Sequence, residues 1–298
     1  MSAETHPTPQ AVLLMRAHPE LPAAIRRLLQ ALIGAYSRNS VWNRVFSDRG
    51  RFMGSLAAFY LHLCPDGGTG QQGLTLGRFQ ALCLDIGLCS RGRARALLIL
   101  LQVTGYIAAD PGPVADRRQR RFVPTQRLTE LQHQRWSQQF AAMTALVPHA
   151  RTAHAACGRA DFAAAFLGEM ARCYRAGFRL LHYAPELAQL VERNAGLLVA
   201  SSLILAAPDE LPEDGAAVPV SISALASRFG IARAHARGLL EHLAEAELIR
   251  RAPGRDTVLV LPDLARSLHG FYAACFALLA HGAAVALREI DAEAGLVP

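Results

Sequence analysis

The chain has 298 residues, of which 52% are apolar and only 18% charged, with a net charge of +7. That length accommodates two ordinary domains, each with its own core, and the composition excludes a largely disordered chain. All 31 basic residues are arginine; their forked donors suit phosphates and guanine edges, and the surplus permits a polyanionic partner without requiring one.

Residues 1–18 read as an N-terminal tail. The opening MSAETHPTPQ lacks a charged segment followed by an apolar run, so no signal peptide is expected. Pro22 then opens a helix whose Ile25, Leu28, Leu29, Leu32 and Ile33 keep helical spacing. A second helix is expected over 51–63, stopped by Pro65-Asp66-Gly67-Gly68. Residues 74–76 suit a short strand. A helix over about 78–86, a turn at Gly87 and a helix over 91–103 with Ser90 as its N-cap follow. Strands at 106–109 and 121–123 flank a Pro/Gly/Arg loop, and a long helix over 125–146 closes the segment.

Residues 148–160 read as a junction. Beyond it, helices are expected over 162–181 and 185–206, a strand at 220–222, and a helix capped by Ser223 running to about Phe229. A helix over 233–246, strands at 248–251 and 257–261, and a closing helix over about 264–287 complete the order, with 291–298 as a C-terminal tail. The second half repeats the first. The offset that carries Arg91 onto Arg233 also carries Ala94, Arg95, Leu97, Leu98, Leu101 and Ile107 onto Ala236, Arg237, Leu239, Leu240, Leu243 and Ile249. It carries Gly54, Leu56, Ala58, Leu61 and Leu63 onto Gly196, Leu198, Ala200, Leu203 and Leu205 as well. Copies of about 125 residues are domains and not solenoid repeats. They are placed at 19–147 and 161–290.

The six cysteines show no CxxC spacing and no metal-ligand cluster along the chain, so no metal or cofactor is expected, and most suit buried free thiols. Residues 196–208 are too short to span a bilayer, and 268–287, apolar but carrying His269 and His281, reads as a buried packing helix. A soluble, cytoplasmic protein with no membrane partner is expected. Nothing marks an enzyme: there is no Gly-rich phosphate loop after a strand, no GxSxG and no HExxH. The acidic cluster Asp209, Glu210, Glu213 and Asp214 reads as a solvated loop. His62, His182 and His242 read as structural, and Trp42, Trp136, Tyr36 and Phe46 as core, with a small-molecule effector pocket as the alternative for these aromatics.

A short strand, two helices across a tight turn and a two-stranded hairpin describe a winged helix-turn-helix. Flanked by two helices before and a long one after, each copy resembles a subunit of the MarR-type transcriptional regulators. The most specific match is Asp116-Arg117-Arg118-Gln119-Arg120-Arg121-Phe122-Val123-Pro124-Thr125, which is similar to that family's wing signature. The resemblance implies an α+β fold, mostly α with small β wings: two tandem winged helix-turn-helix domains forming a pseudo-dimer. It further implies that Asp116 braces the wing, that Arg118 enters the minor groove, and that first and last helices join the two copies. Copy two has no Asp-Arg-Arg run and a shorter wing.

Double-stranded DNA is then the expected partner. A helix in the major groove reads bases near its N-terminus. There stand Ser90, Arg91, Arg93 and Arg95 in copy one, and Arg233, His235 and Arg237 in copy two. Arg91 and Arg95 share a face with Leu97, Leu98 and Leu101 largely on the other side. The wings add Arg117, Arg118, Arg120 and Arg121 in copy one and Arg255 in copy two. Two other readings stay open: a tandem winged-helix module that binds another protein, and a plasmid-type replication initiator.

Overall fold

The computed structural model describes residues 6–38, 48–64, 73–112, 120–252 and 256–295. The fold is mostly helical with small antiparallel sheets, an α+β composition. The chain divides into two compact units that do not follow chain order: residues 1–8, 50–178 and 277–298 form unit one, and residues 9–49 and 179–276 form unit two.

In unit one, α3 (Arg49–Leu63) precedes β1 (Leu74–Thr75), α4 (Leu76–Asp85) and α5 (Arg91–Val103). Then come β2 (Ile107–Ala109), β3 (Arg121–Pro124), α6 (Gln126–Ala142), α7 (Ala150–Ala156) and α8 (Ala160–Arg175). The sheet runs β1-β3-β2, with Leu74 opposite Phe122 and Ala108 opposite Val123. An aromatic cluster fills the core. Phe166 of α8 meets Trp136 and Phe140 of α6 edge-on at 5.4 and 5.6 Å and stacks on Phe162 at 5.6 Å, geometries that suit ring quadrupoles. Gly54 lets α3 sit close to α5: a Cβ there would stand 3.3 Å from Leu97 Cδ1.

Unit two holds α1 (Pro9–Arg16), α2 (Leu21–Arg38), two 3-10 turns (Leu180–Tyr183 and Pro185–Leu187), α9 (Ala188–Val191) and α10 (Gly196–Ala206). β4 (Ala216–Pro219), α11 (Ile222–Phe229), α12 (Arg233–Glu245), β5 (Ile249–Arg251) and β6 (Thr257–Val260) follow. Its sheet runs β4-β6-β5, the same order as in unit one, with Val260 opposite both Ala216 and Ile249. Ile25, Leu28 and Leu29 of α2 are each 1% exposed. That helix packs on α10 and α11, and Arg26 donates to the carbonyl of Ala207 at 2.8 Å and pairs with Asp209. The closing helix α13 (Pro262–Gly295) supplies its residues through Phe276 to unit two and those from Ala277 to unit one. Its stretch Pro262–Ala292 is long and apolar enough to cross a membrane by length and composition, with 67% of its apolar window buried inside the protein.

Several expected elements differ. The helix expected over 185–206 is broken: Ala195 takes a left-handed conformation (φ 59°), and α10 begins only at Gly196. A Cβ at Gly196 would overlap the Leu190 carbonyl, so the chain doubles back here in a way only glycine permits. The helix expected over 162–181 stops at Arg175, where Gly177 (φ +95°) and the Phe178 amide, donating to the Cys173 carbonyl at 3.1 Å, close its end. The strand expected at 220–222 lies at β4, and Ser221, not Ser223, caps α11 by accepting from the Ala224 amide at 3.2 Å. Helices α1 and α7 occupy parts of the stretches read as tail and junction, because Val12, Ala150 and Ala153 are buried there. Asp209, read as part of a solvated cluster, pairs with Arg26 while its own side chain stays exposed.

Candidate nucleic-acid interface

The arginines expected to contact DNA in copy one are positioned by α4, α5 and β3. Thr75 Oγ1 accepts from the Arg78 amide at 3.3 Å and caps α4; Ser90 Oγ accepts from the Arg93 amide at 3.4 Å and caps α5. Both serve donors that a helix N-terminus leaves unpaired. Between the helices, Gly87 adopts φ +63° and the Leu88 amide donates to the Cys83 carbonyl at 2.8 Å. Gln80 Nε2 reaches across the turn to the Arg91 carbonyl at 3.0 Å. The angle between α4 and α5 is thus held by side chain, turn and cap together.

Helix α5 divides by face. Ala94, Leu97, Leu98 and Leu101 are buried, whereas Arg91, Arg93 and Arg95 are exposed. The same alternation places Arg233 and Arg237 of α12 in solvent with Ala236, Leu239 and Leu243 inside. His235 sits differently. It is half-buried, and its Nε2–H donates to the Asn194 carbonyl at 2.8 Å, so it ties α12 to the bend before α10.

Beside α5 lies an open groove of about 700 Å³, lined by Thr75, Gly77, Gln80, Arg95, Gln102 and Arg120 together with apolar residues. No carboxylate is among the described residues lining it. Arg120 is exposed, with its guanidinium 5.6 Å from the centre of the Phe122 ring, while Arg121 is half-buried in β3. The groove therefore offers two cations, two amides and the N-terminus of α4, a donor-rich concavity suited to a phosphate-bearing chain. Farther along α5, Ile99 is 49% and Val103 79% exposed.

The base of the β2–β3 hairpin is fixed. Thr125 Oγ1 donates to the Gly105 carbonyl at 2.7 Å, and Arg127 donates to the Thr104 carbonyl at 2.8 Å. Arg127 also stacks its guanidinium 4.5 Å from the centre of the fully buried Tyr106 ring. Thr125 opens α6 as expected, but its hydroxyl serves the hairpin and makes no cap bond. Asp116, Arg117 and Arg118 lie outside the described residues, as do Arg255, Trp42 and Phe46. Trp136 and Tyr36 are both buried.

Gln80 and Gln102 went unread in the sequence, although Arg95, Ile99 and Gln102 keep the i, i+4, i+7 spacing that puts them on one face. His62 and His133 have pKa values lowered from the ordinary histidine value, in each chiefly by burial, with Asp110 opposing the shift at His62. Both fit structural roles. Compared with known proteins, the chain matches no family model, no curated protein and no solved structure.

Proposed function

We propose that the chain is a sequence-specific double-stranded DNA-binding transcriptional regulator, a MarR-like pair of winged helix-turn-helix domains fused into a single-chain pseudo-dimer. In this reading it is a cytoplasmic binding protein and not an enzyme. The observation that carries it is the groove beside the exposed arginines of α5, whose described lining residues include Arg95 and Arg120 and no carboxylate. Arg91 and Arg95 read base edges, Arg93 and Arg120 meet phosphates, and the N-terminus of α4 accepts a further phosphate. The fused-dimer part is supported by the exchange of opening helices: α2, which begins copy one, packs within unit two, and α8, which begins copy two, packs within unit one. Copy two contributes Arg233 and Arg237, with His235 serving as an internal strut.

Selection of bound sites from random duplex DNA tests the proposal, with wild type beside Arg95→Ala and Arg118→Ala. The expected result is an inverted motif whose half-sites lie about one helical turn apart. Arg95→Ala relaxes the preference at one position, and Arg118→Ala weakens binding across all sequences. Enrichment of directly repeated sites would instead favour a replication initiator. No enrichment at all would turn attention to Ile99 and Val103, whose exposure on α5 favours docking of a protein partner.

A further inference from the structure

Away from the groove, unit one gathers three side chains whose chemistry no part of the DNA-binding reading uses. Glu169 and Cys173 stand four residues apart on α8 and so share a face. His281 joins them from α13. Glu169 Oε1 accepts from the Cys173 thiol at 3.4 Å and lies 2.6 Å from His281 Nε2. The three potential ligand atoms all lie within 4.8 Å of one another. The Glu169 side chain is 3% exposed and that of His281 22%. Oε2, the other carboxylate oxygen, is held by Arg172 through Nε at 2.8 Å and through Nη2.

The backbone is arranged to allow this approach. A Cβ at Gly282 would stand 3.0 Å from Phe166 Cε2 and 3.2 Å from Met170 Sδ. Without one, α13 comes close enough to α8 for its neighbour His281 to reach Glu169.

The geometry points to a binding site for a borderline-soft divalent transition metal, zinc by its donor set, ligated by Glu169 Oε1, Cys173 Sγ and His281 Nε2. Carboxylate, thiolate and imidazole each ligate zinc, and two anionic ligands cancel the charge of a buried dication. Zinc bonds of about 2.0–2.3 Å in a tetrahedron place ligand atoms roughly 3.2–3.8 Å apart. The Glu169–Cys173 separation already lies in that range, and the Glu169–His281 separation opens into it by about 1 Å. Arg172 acts as the outer partner that orients the ligating carboxylate, leaving Oε1 to face the metal.

A cavity of about 440 Å³ borders Glu169 and Arg172 and is also lined by Glu289 and by Asp161, which pairs with Arg159. Water completes the fourth position. On uptake the Cys173 S–H bond breaks and its proton leaves to solvent as the S–metal bond forms. His281 releases its Nε2 proton to solvent, keeps or regains one on Nδ1, and binds through the freed Nε2 lone pair, while Glu169 Oε1 exchanges its two hydrogen bonds for one metal bond. The inference stands whether or not the chain binds DNA.

The test is titration of the metal-stripped full chain with Co²⁺ and then Zn²⁺, read by absorption. One equivalent of Co²⁺ is expected to raise a thiolate-to-metal charge-transfer band together with the visible bands of a tetrahedral ion, and one equivalent of Zn²⁺ to bleach both. Cys173→Ser is expected to keep its circular dichroism and lose the charge-transfer band. His281→Gln should weaken uptake by more than about tenfold, the usual cost of even an outer-shell loss, and serves as the decisive variant should Cys173→Ser not fold. A folded wild type without the charge-transfer band overturns the proposal. So does a band that survives in Cys173→Ser, which would place the metal on another of the cysteines.

Discussion

Replacing Gly196 by alanine distinguishes two positions that the internal repeat equates. Gly196 and Gly54 occupy matched places in the two copies, yet their surroundings differ. A Cβ at Gly196 would overlap the carbonyl oxygen of Leu190 and stand 2.9 Å from its carbon, both backbone atoms. That carbonyl must retreat by more than about 1 Å to reach van der Waals distance, which pulls α9 away from the start of α10. At Gly54 the new methyl meets side chains rather than backbone: the end of Leu97 at 3.3 Å, and Phe79 Cζ at an ordinary 3.7 Å. There the intrinsic preference of a helix for alanine, about 1 kcal/mol over glycine, offsets the small displacement. Gly196→Ala is therefore expected to cost about 3 kcal/mol or more, as backbone overpacking does, and Gly54→Ala to stay within about 1 kcal/mol of wild type. Thermal unfolding followed by circular dichroism measures both. At about 2–4 °C per kcal/mol, Gly196→Ala should lower Tm by roughly 6–12 °C. Equal tolerance of the two substitutions would refute the argument, because it would mean that the bend at residues 192–195 is not held by this close approach.

Three further outcomes are expected. Removing Arg93 or Arg120 singly should reduce the slope of log affinity against log salt by about one, for the phosphate left without its arginine, measured on duplex DNA by fluorescence anisotropy; an unchanged slope at both would dismiss the groove. Acid should destabilise the fold: His62 and His133 are depressed by burial, so the stability they lend is present above the ordinary value of 6.5 and is lost as pH falls through their lower folded values. His62→Gln should then flatten the fall of Tm on acidification, and an unaltered pH profile would contradict the assignment. Phe166→Ala, which removes a fully buried ring from the aromatic cluster, should cost about 3–5 kcal/mol in denaturant titration, whereas the exposed Val103→Ala should be close to neutral.

Local signals were readable where they were sufficient. Ser90 before an apolar-periodic run specified α5 to the residue, and the strands at β2 and β5 followed from β-compatible runs after a helix stop. Legibility ended where distant backbone decided the outcome. The 185–206 run keeps helix-compatible residues on both sides of Glu192-Arg193-Asn194, and the bend there depends on the close approach of Leu190 and Gly196, which no local pattern states. Ser221 and Ser223 are equally good caps in sequence, and the choice was made by β4 pairing with β6 four residues earlier than expected. The arginines of α5 were legible by spacing because one helix presents them. Glu169, Cys173 and His281 were not, since His281 reaches the other two only through the packing of α13 against α8.

The exchange of opening helices also bears on how the chain acquires its fold. Unit one cannot close until residues beyond 277 are available, and unit two cannot close until residues near 9–49 have waited for partners at 179–276. Contacts of such high sequence separation slow folding, since loop closure must come before the burial that rewards it. Neither half of the gene therefore encodes an autonomous folding body: cutting the chain at 148–160 should yield two fragments with unsatisfied apolar helices that fold only when mixed. Synthesis as one polypeptide keeps those helices at a high effective concentration for each other, which a pair of separate subunits would have to find by diffusion.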